Sequence, residues 1–173
     1  MDIVKYANTF QSSSVLELDA ISRLLNRLGN PQNSLKYIHV AGTNGKGSVC
    51  AFTQAILTHS GLKCGKYTSP FMLCPEERIS IDGKSIKAAE FESLVRQMED
   101  LADGQSQFEL WTAAAFLYFK REKCDIVVLE CGMGGKGDAT NIIPAPECAA
   151  ITRIGLDHTT YLGNTIEEIA ENK

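Results

Sequence analysis

The apolar residues change their spacing along this chain, and each change marks an element. Val15, Leu18, Ile21, Leu24, Leu25 and Leu28 recur at helical spacing behind serines suited to capping, and Gly29-Asn30-Pro31 ends the pattern. "KYIHVAG" is a short β-rich run that predicts a strand. "SVCAFTQAILTHSG" returns to helical spacing and stops at Gly61, and "KCGKYTS" predicts a second strand. "RISIDGKSI" alternates about Asp82-Gly83 and predicts a hairpin. "KAAEFESLVRQMEDLADG" and "SQFELWTAAAFLYFKREK" predict two further helices. "CDIVVLECG" is apolar throughout, which predicts a central strand. "CAAITRIG" predicts another strand, and "TIEEIAENK" a helix capped by Thr165.

Strands alternating with helices imply an α/β fold, a mostly parallel sheet with helices on both faces. In such sheets ligands sit at the carboxyl ends of the strands. Gly42 to Ser48 follow the first strand, Ser69 ends the second, Glu130 closes "DIVVLE", and Asp157-His158 follow "AAITRIG". These loops are expected to converge on one rim.

Composition narrows the classes. With 44% hydrophobic and 22% charged residues the chain of 173 is ordinary for a soluble globular protein. A formal net charge of −4 and the lack of any dense Lys/Arg run argue against nucleic acid as a partner. No apolar run reaches membrane-spanning length, and "MDIVKYANTF" lacks the apolar core of a signal peptide, so a cytoplasmic protein without a membrane partner is expected. None of the six cysteines forms C-x-x-C and several lie in apolar runs, which predicts buried, reduced thiols. His39, His59 and His158 do not cluster with cysteine, so a zinc site has little support.

The candidate chemistry begins at "HVAGTNGKGSVCAF". The usual phosphate loop is spelled G-x-x-x-x-G-K-[ST]; here Gly45-Lys46 is followed by Gly47 before Ser48, and Val40 stands where the first glycine belongs. Gly42, Gly45 and Gly47 would still let backbone N–H groups close on an anion, and a helix starting near Lys46 adds its N-terminal dipole. Lys46 supplies a full charge, and the Ser48 hydroxyl can ligate magnesium. The alternative is a tight turn carrying a solvated lysine. A second cluster, Gly132, Gly134 and Gly137, formally matches the dinucleotide fingerprint, but "DATNIIPAP" is not the helix that fingerprint needs. Glu130 ends an apolar strand, where a charge is costly unless it meets a cation, and a strand-end acid beside a phosphate loop can hold magnesium. It could instead accept hydrogen bonds from loop N–H groups. His158 reads equally as a structural histidine; its expected place on the rim makes it a candidate.

Six stretches in order carry a family resemblance: "YIHVAGTNGKGS", "GLKCGKYTSPF", "ERISIDG", "FELWTAAAF", "DIVVLECGMGGKGDATN" and "ITRIGLDHTTYLGNTIEEIAENK". From about Leu24 onward the chain resembles folylpolyglutamate synthase and dihydrofolate synthase, members of the Mur ligase superfamily, whose loop is spelled GTNGKGS. The resemblance implies an ATP-dependent amide ligase. ATP would phosphorylate the carboxylate of folate or dihydropteroate, and the amine of L-glutamate would attack that acyl phosphate. It also implies a P-loop NTPase-like domain of the Mur ligase central type. Gly42, Thr43, Asn44, Gly45, Lys46, Gly47 and Ser48 would bind the nucleotide, with Lys46 on the β and γ phosphates. Ser48 and Glu130 would hold a first Mg2+. Ser69 would lie near a second, and His158 would help bind it directly or through water. The loop Pro70 to Glu77 would contact the pterin side. Lys173 matches a family lysine that carbon dioxide carbamylates; as the last residue it is expected to be frayed and unmodified. Phe71 replaces a common His, Lys136-Gly137 replaces Arg-Leu, and Arg78 and Glu109 are expected to be structural.

Family members continue into a second, smaller α/β domain. Residues 1–173 are therefore expected to be a truncated N-terminal ATP-binding domain lacking its ligase lid, inactive alone and monomeric in full-length form. A Mur-type cell-wall ligase, a stand-alone P-loop ATPase and a non-catalytic folate- or partner-binding module are the other readings. "TSPF" and "ERISIDG" favour the folate branch, and nothing in the chain separates its two activities.

Overall fold

The computed structural model describes residues 17–173. The serines and Val15 ahead of the first predicted helix lie outside the described residues. Among the described residues six strands, numbered in chain order, form one sheet in the order β4-β3-β2-β5-β1-β6. Strands β1 (Tyr37–Ala41), β2 (Cys64–Tyr67), β5 (Ile126–Glu130) and β6 (Cys148–Ile151) run parallel. Strands β3 (Ile79–Ile81) and β4 (Lys84–Ser85) extend the sheet antiparallel. The expected mostly parallel sheet is therefore present, with β5 central between β2 and β1.

Burial explains why β5 is apolar from Ile126 to Leu129. Val127 and Leu129 face a large core under α1 (Asp19–Arg27), α3 (Ala88–Arg96) and α4 (Gln107–Arg121), whereas Val128 faces a smaller core under α2 (Lys46–His59). Both faces of the sheet are thus covered. Helix α4 starts at a capping box in which Ser106 and Glu109 satisfy each other's backbone N–H groups. Asp82 and Gly83 both take positive φ, 51° and 78°, the geometry of a tight hairpin turn. The Asp82 carboxylate accepts from Cys64 N–H at 2.9 Å and from the Thr58 hydroxyl at 3.1 Å, tying the hairpin to β2 and α2.

Three expectations need correction. Helix α3 ends at Arg96, well short of the predicted length, and a 3-10 turn follows at Glu99–Leu101. Arg27 Nη1 donates to Leu101 O at 2.8 Å and Arg23 Nη2 to Asp103 O at 3.4 Å, so tertiary partners draw off carbonyls at this end. A one-turn helix, α5 (Thr159–Leu162), precedes α6 (Ile166–Asn172) where no separate element was predicted. All six cysteines are free as expected, but Cys74 and Cys148 are exposed, the first in a loop and the second on the edge strand β6. Among the described residues no helix is long and apolar enough to cross a membrane.

Candidate functional site

The loop Gly42 to Ser48 connects β1 to α2, and its odd spelling has a structural cause. Gly45, with φ +88°, caps α2, so the helix begins at Lys46 with its first amides free for an anion. Gly42 has φ +136°, and a Cβ there would lie 1.9 Å from Thr152 Oγ1. The obligatory early glycine thus stands where the exit of β6 crosses the loop. That exit braces it further: Thr43 N–H donates to Arg153 O at 2.9 Å, and Thr43 Oγ1 both donates to Gly155 O and accepts from Gly155 N–H, each at 3.1 Å. Lys46 Nζ lies 3.0 Å from Gly42 O and 3.2 Å from Thr43 O, drawn over its own loop. Ser48 is exposed in the first turn of α2.

Glu130 ends β5, whose register neighbour on β1 is Val40. It is 4% exposed, and Oε2 accepts from Ser69 N–H at 3.2 Å. A Cβ on Gly47 would sit 3.7 Å from Oε2 and 3.9 Å from Oε1, so the carboxylate faces the first turn of α2. Burial pushes its pKa up, against the Ser69 amide and the charges of Lys46, Lys66 and Arg78. The strand end, the phosphate loop and Ser69 therefore meet. A buried, sparsely bonded carboxylate beside a hydroxyl-bearing helix start fits a cation. Among the described residues no group of three or more His, Cys, Asp and Glu gathers to hold a metal. An ion here would take its remaining ligands from hydroxyl, phosphate and water oxygens, as magnesium does.

His158 is the αL residue capping α5, with φ 49°. Its side chain is 47% exposed and Nε2 stands 3.7 Å from Asp157 Oδ1. It shares a cavity of about 390 Å³ with Ser69, Pro70, Arg78, Phe108 and Asp138. Lys173, expected to fray, is held: Nζ donates to Gly42 O at 2.9 Å and its amine pKa is lowered, by burial first and then by Lys46. Its backbone packs 2.5 Å from where a Gly135 Cβ would be, fixing the second glycine cluster against the end of α6.

Sequence reasoning missed most of the cavity wall. The Arg78 guanidinium lies over Trp111, Phe71 and Phe108 at 4.8, 5.4 and 5.8 Å from their ring centroids, and its buried Nε has no hydrogen-bond partner among the described residues. Arg78 was expected to be structural, yet it lines the cavity. Glu109 also reaches the wall, but its bonds to Ile21 N, Ser106 N and Ser106 Oγ make it an organiser of α1 and α4, as expected. Asp138 is 3% exposed and accepts from Met133 N and Thr140 N, and a 3-10 turn, Ala139–Ile142, follows it. Burial raises its pKa, opposed by these bonds. The absence of a helix there removes the dinucleotide reading of Gly132, Gly134 and Gly137. The visible signal for Asp138 was the acid closing that glycine run. Nearby, Cys131 Sγ is 3.0 Å from His39 Nε2, but burial pushes the thiol up to about 12 and the imidazole down to about 4, so both are neutral and the pair is no nucleophile.

The family model for the Mur ligase middle domain matches residues 40–173. The chain belongs to the Mur ligase family. This Mur ligase domain is 43% identical over 164 residues to dihydrofolate synthetase of Saccharomyces cerevisiae, an alignment covering 91% of the chain and 38% of the relative. It is 44% identical over 165 residues to dihydrofolate synthase/folylpolyglutamate synthase of Bacillus subtilis, covering 90% and 38%. Among solved structures, E. coli FolC in complex with DHPP and ADP superposes with TM-score 0.92 at 32% identity, over 99% of the chain and 43% of that structure. An FPGS-AMPPCP-folate complex superposes with TM-score 0.87 at 39% identity, over 98% and 44%. The Mur ligase domain described here thus spans about two-fifths of the length of these proteins.

Proposed function

We propose that this chain is the ATP-binding portion of a carboxylate–amine ligase that joins L-glutamate to folate or dihydropteroate through an acyl phosphate. The observation that carries the reading is Glu130, buried between Ser69 and the Gly47 end of α2 with Lys46 nearby. The relatives' activities and the nucleotide and folate in their complexes support the same reading.

Each residue then has a task. The amides at the helix start, Gly45 to Ser48, cradle the phosphates, those of Thr43 and Asn44 being given to Arg153 O, and Lys46 leaves the Gly42 and Thr43 carbonyls to screen the oxygens between β and γ. Ser48 and Glu130 would hold Mg2+, with Ser69 and His158 on the side of a second ion. Bound there, magnesium neutralises charge on the transferring phosphoryl group. The cavity beside Ser69 receives the acceptor: Phe108 offers an apolar face, Asp138 takes N–H donors of an aminopteridine, and Arg78 adds positive charge near the rim. A carboxylate held in line attacks the γ phosphorus and ADP leaves. The glutamate amine then attacks the acyl carbon and phosphate leaves. The lowered amine pKa of Lys173 supports its carbamylation. The greater length of the relatives supports a second domain, which in this reading closes on the nucleotide and supplies glutamate contacts. A cytoplasmic, monomeric enzyme completes the proposal.

Calorimetry tests the reading. ATP with magnesium is expected to bind the chain and to lose at least about tenfold in affinity in Lys46→Ala. Dihydropteroate is expected to quench Trp111, which packs on Arg78 at the cavity wall. No nucleotide binding by either protein would refute the proposal.

A further inference from the structure

A chain of polar side chains crosses the wall between the acceptor cavity and a smaller one behind it. Asp138 lines the first; His39 and Cys131 line the second, a space of about 230 Å³ beside β1 and β6. Thr140 stands between them, fully buried. Its hydroxyl oxygen is 2.5 Å from Asp138 Oδ1 and 2.9 Å from His39 Nε2. One hydroxyl proton can serve only one of these neighbours. The backbone N–H groups of Thr140 and Met133 donate to Oδ1 and Oδ2 of Asp138, bonds that favour its ionised form, and an ionised carboxylate can only accept. The Thr140 proton therefore goes to Asp138. Nε2 of His39 must then carry the proton that Thr140 Oγ1 accepts, and Cys131 Sγ, at 3.0 Å, shares that donor.

We propose that His39 is a positioning residue for the acceptor cavity, holding the Asp138 carboxylate in place through the Thr140 hydroxyl. The inference rests on reading that cavity as the acceptor site. His39 does not touch the ligand. By fixing the direction of the Thr140 hydroxyl it adds a second bond to Oδ1 beside that from Thr140 N–H, and so fixes the plane of the carboxylate that lines the cavity. The polarity of the relay originates on β1, the strand that leads into the phosphate loop, so one strand serves both substrates.

The test compares wild type, His39→Phe, His39→Gln, Asp138→Asn and the double variant His39→Phe/Asp138→Asn. Dihydropteroate affinity is read from Trp111 fluorescence and MgATP affinity from calorimetry. His39→Phe keeps a ring without the donor and is expected to weaken dihydropteroate about tenfold while leaving MgATP unchanged. His39→Gln retains an N–H donor and should recover most of the loss. His39→Phe should add nothing once Asp138 is Asn. Equal weakening of both ligands, or losses that multiply in the double variant, would overturn the role. Should wild type bind MgATP but no dihydropteroate, the acceptor reading fails, and nitrogen NMR of the His39 ring decides the relay. A protonated Nε2 at neutral pH, released to a tautomer mixture in Thr140→Val, supports it; a bare Nε2 in wild type refutes it.

Discussion

Lys46 and Lys173 rest their ammonium groups on one acceptor, the Gly42 carbonyl, at 3.0 and 2.9 Å. Two cations on one oxygen repel, and a triphosphate bound as proposed would relieve the repulsion by drawing Lys46 away. Burial, and after it Lys46, holds the Lys173 amine below its usual range, which favours the neutral form that carbon dioxide attacks. Lys46→Ala should therefore reduce carbamate formation as well as nucleotide affinity. Carbon NMR with labelled bicarbonate should show a carbamate signal in wild type, a weaker one in Lys46→Ala and none in Lys173→Arg. An undiminished signal in Lys46→Ala would contradict the coupling.

Glu130→Gln should separate stability from binding. The folded-state pKa of Glu130 lies above its ordinary value because of burial, so protonation favours the fold. That contribution is complete below the ordinary glutamate range and is lost as pH rises through the folded value. At neutral pH without a cation, the ionised group is a liability. The variant should melt higher than wild type at neutral pH, and the difference should shrink as pH falls into the ordinary glutamate range. MgATP should raise the melting temperature of wild type and leave that of the variant unchanged.

Two glycines of one loop should respond oppositely to alanine. A Cβ at Gly42 meets Thr152 Oγ1 at 1.9 Å and inherits φ +136°, so Gly42→Ala should cost about 2–3 kcal/mol in denaturant unfolding. A Cβ at Gly47 meets only Glu130 oxygens at ordinary contact distance, 3.7 and 3.9 Å. Gly47→Ala should fold as well as wild type, helped by helix propensity, yet bind MgATP more weakly because the methyl enters the space the ion needs.

His39 should make the fold acid-sensitive in a defined window. Its folded-state pKa, lowered to about 4 by burial, lies below the ordinary 6.5. The stability it contributes is present above that ordinary value and is lost as pH falls through the folded one. Unfolding free energy should drop by on the order of 2 kcal/mol between about pH 6.5 and 4, and His39→Gln should flatten that slope. The polar neighbours on its ring are Thr140 and Cys131, with Lys173 on the same cavity. A slope unchanged in His39→Gln would assign the titration elsewhere.

The glycine loop between β1 and α2 was legible in the sequence because its requirements are local: glycines for the turns, a lysine at the helix start and a strand before it. Glu130 was legible for a similar reason, being an acid at the end of an apolar run. Asp138 and Arg78 were not, because the cavity that gives them meaning is assembled from Phe108, Ser69 and His158 on separate loops. Lys173 reads as a chain end, yet its ammonium reaches back across 131 residues to Gly42. The length of α3 was misread because Arg27 and Arg23 on another helix intervene after Arg96. Cys74 and Cys148 show the converse: a thiol pattern suggests burial, but position in a loop or on a sheet edge decides it.

Thr43 and Gly155 are stitched to each other by the paired hydrogen bonds of one hydroxyl. The loop from Gly42 to Ser48 is consequently not a free flap but one half of a clasp, and the other half is the turn that carries Asp157 and His158. A tug on either half is felt by the other, so a triphosphate bound as proposed would also steady the histidine at the mouth of the neighbouring cavity.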